Sequence, residues 1–313
     1  MLEITTKLKQ RFCKDNNISL QLFKSPYFED RLKLFGFLDK WNDFVKFVSD
    51  NFESVDSYIG YCIKLEDEIV DYIKNSQAAK ALNTDDMNKY PHKSIPHRDA
   101  YKANCIGKKF ISIDMCKANF STLVFYGKIN NLEFFDSYDY KAFIKKFTDF
   151  DYFVKSKHMR QVIFGKTGSK RQTTYQSYIM SILLDLILSA NIGVTIDHVY
   201  GLNSDEILLQ IDDDNIINKV IELTTSEKFS QIPLKIETYT IGRLNGTEAF
   251  IKLFDDGSYE LKCVNPYEAP FIYRYMAGQP YTDNDMYFMF EKRLAKLVEA
   301  PTIELIKSQE ERE

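Results

Sequence analysis

Apolar residues recur at helical spacing early in the chain and in short runs later. From Ser25 to about Ser76, Leu32, Phe35, Leu38, Trp41, Phe44, Val45 and Val48, then Ile59, Ile63, Val70 and Ile73, are spaced for one side of a helix. This predicts two amphipathic helices. From Ala78 to Arg98, Asn83, Asp85, Asp86, Asn88, Pro91 and Pro96 stand among few apolar residues, which predicts a linker or exposed loop and a soft boundary near residue 100. After it come FISID at 110–114, VTIDHVYG at 194–201, EILLQI at 206–211, LKIETYTI at 234–241 and AFIKLF at 249–254. Their length and β-branched or aromatic content predict strands. Helices are predicted over Thr173–Asn191, Ile216–Thr225 and Asp283–Ala300, with a polar, frayed end after them.

Leu202, Asn203 and Ser204 join the run ending in VYG to EILLQI, which predicts a β-hairpin and antiparallel pairing. The fold class expected is therefore α+β: a helical N-terminal region (1–100), a sheet-bearing region (101–265) and a C-terminal helical region (266–313).

Composition narrows the function. With 313 residues, 44% hydrophobic and 27% charged, the chain can bury a core and is no disordered segment. A formal net charge of -4 excludes nucleic-acid binding by bulk charge, so any such contact must be local. Five scattered cysteines without a Cys-x-x-Cys pair argue against a disulfide framework or zinc ribbon and for a reducing setting. The chain lacks an apolar signal core and any run near the ~18 apolar residues of a membrane span. It is expected to be soluble, unexported and cytoplasmic, with no membrane contact.

The candidate chemistry lies in carboxylates at strand ends. Asp114 closes FISID, and Asp205 and Glu206 lie at the hairpin tip. If these strands are neighbours, Asp114 and Asp205 emerge at one edge and can share Mg²⁺ or Mn²⁺, whose preferred ligands are oxygens. Metals held there would serve phosphoryl transfer, with Glu206 assisting. Between them, residues 141–171 carry nine Lys/Arg (Lys141, Lys145, Lys146, Lys155, Lys157, Arg160, Lys166, Lys170, Arg171) against Asp149 and Asp151. This local excess is a candidate site for a triphosphate or a nucleic-acid backbone. Gly165 to Lys170 lacks phosphate-loop spacing, His92 and His97 read as surface histidines, Asp212 to Asp214 as a solvated turn, and Cys116 has no nearby base.

The order of these features resembles the palm of family B DNA polymerases. The first family motif is an Asp followed by Pro-Ser; here Asp114 is followed at that spacing by Phe120-Ser121. The second runs from a Lys to Asn-Ser-x-Tyr-Gly; here Lys157 leads to Gln161-Val162-Ile163-Phe164-Gly165. The third, Tyr-Gly-Asp-Thr-Asp-Ser, is matched by Tyr200-Gly201-Leu202-Asn203-Ser204-Asp205-Glu206, with Asn203 in place of the first hairpin Asp and one extra residue before Asp205. The FIKLF and YELKCV runs resemble the later palm strands that grip primer DNA.

The resemblance covers roughly residues 100–265 and implies a minimal, split or degenerate polymerase with rudimentary fingers. It implies Asp114 and Asp205 as metal ligands, and Lys157, with Arg160 or Lys166, as contacts of the triphosphate. Gly165 and Tyr200 would belong to the substrate site. The aromatic ring that excludes a ribose 2′-OH in that family falls at Asn119, or at Phe120 after a one-residue shift. Asn119 implies ribonucleotide tolerance or preference. The expected partners are a nucleic-acid primer and template, nucleoside triphosphates and a partner polymerase subunit. Two alternatives are an inactive palm that binds nucleic acid or a polymerase, and a template-independent or primer-making nucleotidyltransferase.

Overall fold

A computed structural model describes residues 3–226 and 231–308. Five helices come first: α1 (Thr6–Asp15), α2 (Tyr27–Leu34), α3 (Leu38–Asn51), α4 (Val55–Asn75) and α5 (Gln77–Thr84). Hydroxyl side chains start three of them. Thr5 caps α1, Ser76 caps α5, and Ser54 caps α4 through a reciprocal pair with Ser57. The Ser25–Ser76 stretch therefore holds three helices where spacing predicts two, because Gly36, at φ +73°, ends α2 and Ser54 opens α4.

The expected linker after Ala78 is helical at its start, since Ala78, Ala79 and Leu82 form a buried stripe of α5. Beyond it the Asp85 carboxylate fixes the chain, accepting from Tyr90 (2.5 Å), Tyr126 (2.8 Å) and Lys89 (2.9 Å).

There follow β1 (Lys109–Met115), α6 (Ala118–Asn130), α7 (Tyr140–Ile144), α8 (Asp151–Lys155), α9 (Lys157–Gly165) and α10 (Ser169–Ser189). Then come β2 (Val199–Leu202), β3 (Glu206–Gln210), α11 (Asp214–Thr225), β4 (Leu234–Asn245), β5 (Phe250–Leu253) and β6 (Tyr259–Lys262). The chain ends through α12 (Ala269–Met276), β7 (Tyr287–Phe290), β8 (Arg293–Lys296) and β9 (Glu304–Ile306). The fold is mixed α+β, as expected. In VTIDHVYG only Val199 onward pairs, and Ile196–His198 is a 3₁₀ turn.

The main sheet is antiparallel, in the order β2-β3-β1-β4-β5-β6 with β9 also against β4. Strand alternation gives it two unlike faces. Ile111, Ile113, Ile207 and Leu209 meet Met180, Leu184 and Ile187 of α10 and Ile217 and Val220 of α11 in one apolar layer. Ser112, Asp114, Glu206 and Glu237 lie on the opposite face.

A second core joins the N-terminal helices to those after β1, with Trp41, Phe44 and Tyr58 in one cluster with Phe120, Phe143, Phe153 and Phe164. The boundary near residue 100 is thus a change of pattern that the core runs across. No helix among the described residues is long and apolar enough to cross a membrane. All five cysteines are free thiols.

The C-terminal expectation is corrected. Asp283–Ala300 is a 3₁₀ turn at Asp283–Met286 followed by the β7–β8 hairpin, and 266–308 contains one α-helix, α12. Asp285 holds the turn: its carboxylate accepts from Thr282 (2.7 Å), Arg274 (2.7 Å) and Arg31 (2.5 Å). Glu291 and Lys292 then take positive φ (46° and 65°) between the aromatic-rich β7 and β8, which turns the chain back on itself.

Candidate active site

Strand register brings the acidic residues together. β1 lies between β3 and β4, with Asp114 opposite Glu206 on one side and Lys235 on the other. The Met115 amide donates to the Asp205 carbonyl (2.8 Å), which fixes the hairpin tip at the end of β1. The turn itself is closed by the Asn203 amide donating to the Glu206 carbonyl (2.8 Å). Asp114, Asp205 and Glu206 are all half-buried.

The electrostatics follow from this crowding. Burial, then the charges of Asp205 and Glu206, push the Asp114 carboxyl up to about 6. Lys235 opposes the rise, but its ammonium is bound to Glu237 (2.5 Å). Glu206 is held at both oxygens, by the Ser112 hydroxyl (2.6 Å) and the Asn203 amide group (3.3 Å). Asp205 accepts from the adjacent Ser204 hydroxyl at one oxygen (3.3 Å). Among the described residues, no group of three or more His, Cys, Asp or Glu is placed to hold a metal ion.

After β1 the chain turns at Lys117, in the left-handed conformation (φ 50°, ψ 50°), and enters α6. This sends the Lys117 ammonium over the ring of Tyr140, 5.5 Å from its centroid. The guanidinium of Arg160, from α9, reaches the same ring at 6.0 Å. Two cations from distant parts of the chain thus converge beside the turn that follows Asp114. The Tyr140 hydroxyl is buried with no hydrogen-bond partner among the described residues. Asn119, on the first turn of α6, accepts from the Gln176 side chain of α10 (2.9 Å).

Other expected site residues are placed elsewhere. Lys157 lines a cleft of ≈ 620 Å³ with Asp15, Asp43, Phe47 and Tyr152. Lys166 is paired with Asp67 (3.0 Å). Lys145 pairs with Asp151 (2.8 Å), Arg171 donates to the Asp85 carbonyl (2.5 Å), and Lys146 lies over the Phe135 ring. The basic stretch 141–171 is thus spread over several elements, with Lys155 lining the same cleft as Lys157.

Phe120 is fully buried against Tyr140 and Phe143. Tyr200 packs edge-on to Phe110, its hydroxyl 3.3 Å from the Cys105 sulfur. Gly165 ends α9 where an added methyl would meet open space, whereas one at Gly201 would lie 3.0 Å from His97.

Sequence reasoning missed Ser112, Lys117 and Gln176. Ser112 was open to strand periodicity, being two residues from Asp114 and so on its face. Lys117 follows the same strand end directly, and Gln176 carries no local signal. No family model, curated protein or solved structure matches the chain.

Proposed function

We propose that the protein is a metal-dependent nucleotidyltransferase that extends a nucleic-acid 3′ end on a polymerase-type palm. The observation that carries this reading is the placement of Asp114 against the Asp205–Glu206 hairpin tip in a central antiparallel sheet, where burial, and then the charges of Asp205 and Glu206, raise Asp114 to about 6. An oxygen-only pair of crowded carboxylates fits Mg²⁺ or Mn²⁺, ions that commonly bind through one or two carboxylates with water and substrate phosphates completing the shell. Asp114 and Asp205 would hold the metal, which when bound lowers the pKa of the attacking hydroxyl and offsets charge on phosphorus.

The 3′ oxygen attacks the α-phosphorus, forming a new P–O bond as the bond to pyrophosphate breaks. Arg160 and Lys117 converge on Tyr140 and are suited to neutralise the triphosphate, in the role expected of Lys157 with Arg160 or Lys166. Ser112 and Asn203 keep the Glu206 carboxylate fixed beside the metal ligands. The burial of Phe120 leaves Asn119 as the side chain at the sugar-discriminating position, an amide that can donate to a 2′-OH. Ribonucleotides should therefore be accepted along with deoxyribonucleotides.

The test is extension of a labelled primer on a template with Mn²⁺ or Mg²⁺ and either NTPs or dNTPs. The wild type should extend, Asp205→Asn should lose at least about 10³-fold, and Arg160→Ala about 10²-fold. Equal activity in Asp205→Asn would defeat the proposal. A strong dNTP bias would defeat the role given to Asn119. A second reading, an inactive palm that binds nucleic acid or a polymerase partner, is favoured by Asn203 at the hairpin and by the engagement of both Glu206 oxygens. It predicts no extension with any substrate and unchanged nucleic-acid binding in Asp205→Asn.

A further inference from the structure

A second cleft, of ≈ 640 Å³, lies between the start of α1, the chain entering α2 and the β7–β8 hairpin. It shares no residue with the carboxylate site. Three lysines line it: Lys9 from α1, Lys24 from the loop before α2 and Lys292 from the hairpin turn. Lys24 and Lys292 are exposed at the rim, whereas Lys9 is only 8% exposed. Its ammonium lies 4.6 Å from the centroid of Phe28 and donates to the Phe23 carbonyl (3.0 Å). No carboxylate pairs with any of the three among the described residues.

A buried ammonium is ordinarily paired. Here one carbonyl and one ring face are its partners, and two of its three N–H groups remain.

The cleft holds one carboxylate, Glu29, on the first turn of α2. Its Oε2 is buried with no hydrogen-bond partner among the described residues. A buried cation lacking an anion and a carboxylate oxygen lacking a donor thus line one cavity without pairing with each other. Each asks for a different group on a shared ligand. Three ammonium groups suit a multiply charged anion, and the orphaned oxygen suits a hydroxyl or amino donor, which the carboxylate of a plain fatty acid does not carry. The wall adds Tyr27, 45% exposed, and Leu294, 58% exposed, as apolar surface for a flat ring. The volume is in the range of small-molecule sites.

We infer that this cleft is a binding site for a free nucleotide, with the phosphates on Lys9, Lys24 and Lys292, a hydroxyl or amino group donating to Glu29, and the base against Tyr27. Its recognition is metal-independent, which separates it from any triphosphate held at Asp114 and Asp205.

The test is calorimetric titration of the full chain with ATP in EDTA, with adenosine and inorganic phosphate titrated alongside. Wild type should bind one ATP, with adenosine and phosphate each at least about tenfold weaker. Lys9→Met and Glu29→Gln should each weaken ATP by at least about tenfold. Lys292→Asn removes a rim charge and keeps a residue that tolerates the left-handed turn, so it tests the site if Lys9→Met does not fold; it should weaken ATP about threefold. Asp205→Asn should bind as wild type does. The site is refuted by no ATP binding in EDTA or by full affinity in both Glu29→Gln and Lys292→Asn, and the nucleotide assignment by phosphate binding as tightly as ATP.

Discussion

Two regions, one buried and one half-buried, handle negative charge in opposite ways. In the helical region, Asp15 at the end of α1 is 4% exposed and satisfied from three sides: Arg11 Nε (3.0 Å), the Tyr152 hydroxyl (2.6 Å) and the Ser156 hydroxyl (2.6 Å). Arg11 also reaches Glu66 of α4 (3.2 Å). One carboxylate thereby ties α1 and α4 to α8 and the cap of α9. In the sheet, Asp114 faces Asp205 and Glu206, and its neighbouring cation is bound to Glu237. Charge that is paired internally acts as a lock. Charge left facing its own kind is a cost that a bound cation can offset.

The largest effect should come from breaking the lock. Asp15→Ala strands the Arg11 guanidinium with Glu66 alone and leaves two buried hydroxyls without their acceptor. It should cost about 3–5 kcal/mol of unfolding free energy, the range for a broken buried pair. Urea denaturation measures this, and a loss below about 1 kcal/mol would mean that water or neighbouring groups replace the network.

The same contrast explains what was legible in the sequence. Strand alternation and the hairpin turn around Asp205 are local, so β1, β3 and their carboxylates could be read from residue spacing. The long apolar helix was readable for the same reason, within a few residues of α10. Charge partners are not local. Nothing within 141–171 says that Lys166 meets Asp67 or that Arg160 and Lys117 share the Tyr140 ring. The C-terminal hairpin was hidden for a related reason, since the 3₁₀ turn that leads into it is held by Asp285 reaching Arg31 across 254 residues of sequence.

A smaller effect, of opposite sign, is expected at the sheet. The folded state holds the Asp114 proton more tightly than the unfolded chain does, so this group lowers stability as pH rises from its ordinary range near 4 through about 6. Above that window the penalty is fully present. Asp114→Asn removes it and should raise the melting temperature at pH 7 in EDTA by about 2 °C, a modest figure because the site is partly open to solvent. Mg²⁺ should raise the melting temperature of the wild type and not of the variant. A variant less stable than wild type in EDTA would show that Asp114 is itself a structural lock, and the two regions would cease to differ.

The smallest effect sharpens the comparison by pH alone. His158, on α9, has its pKa lowered by burial first and then by Arg11, with Asp15 and Glu66 acting against the shift. The unfolded chain therefore binds a proton there more readily than the folded one. Stability from this group is present above the ordinary imidazole value of about 6.5 and is lost as pH falls below it. The two regions thus titrate in opposite directions, the sheet losing stability as pH rises through its window and the helices as pH falls through theirs. His158→Asn should flatten the fall in melting temperature between about pH 7 and pH 5 and leave the response to Mg²⁺ unchanged. If instead it changes the Mg²⁺ response, the paired helical core and the crowded carboxylates are coupled, and one cannot be varied without the other.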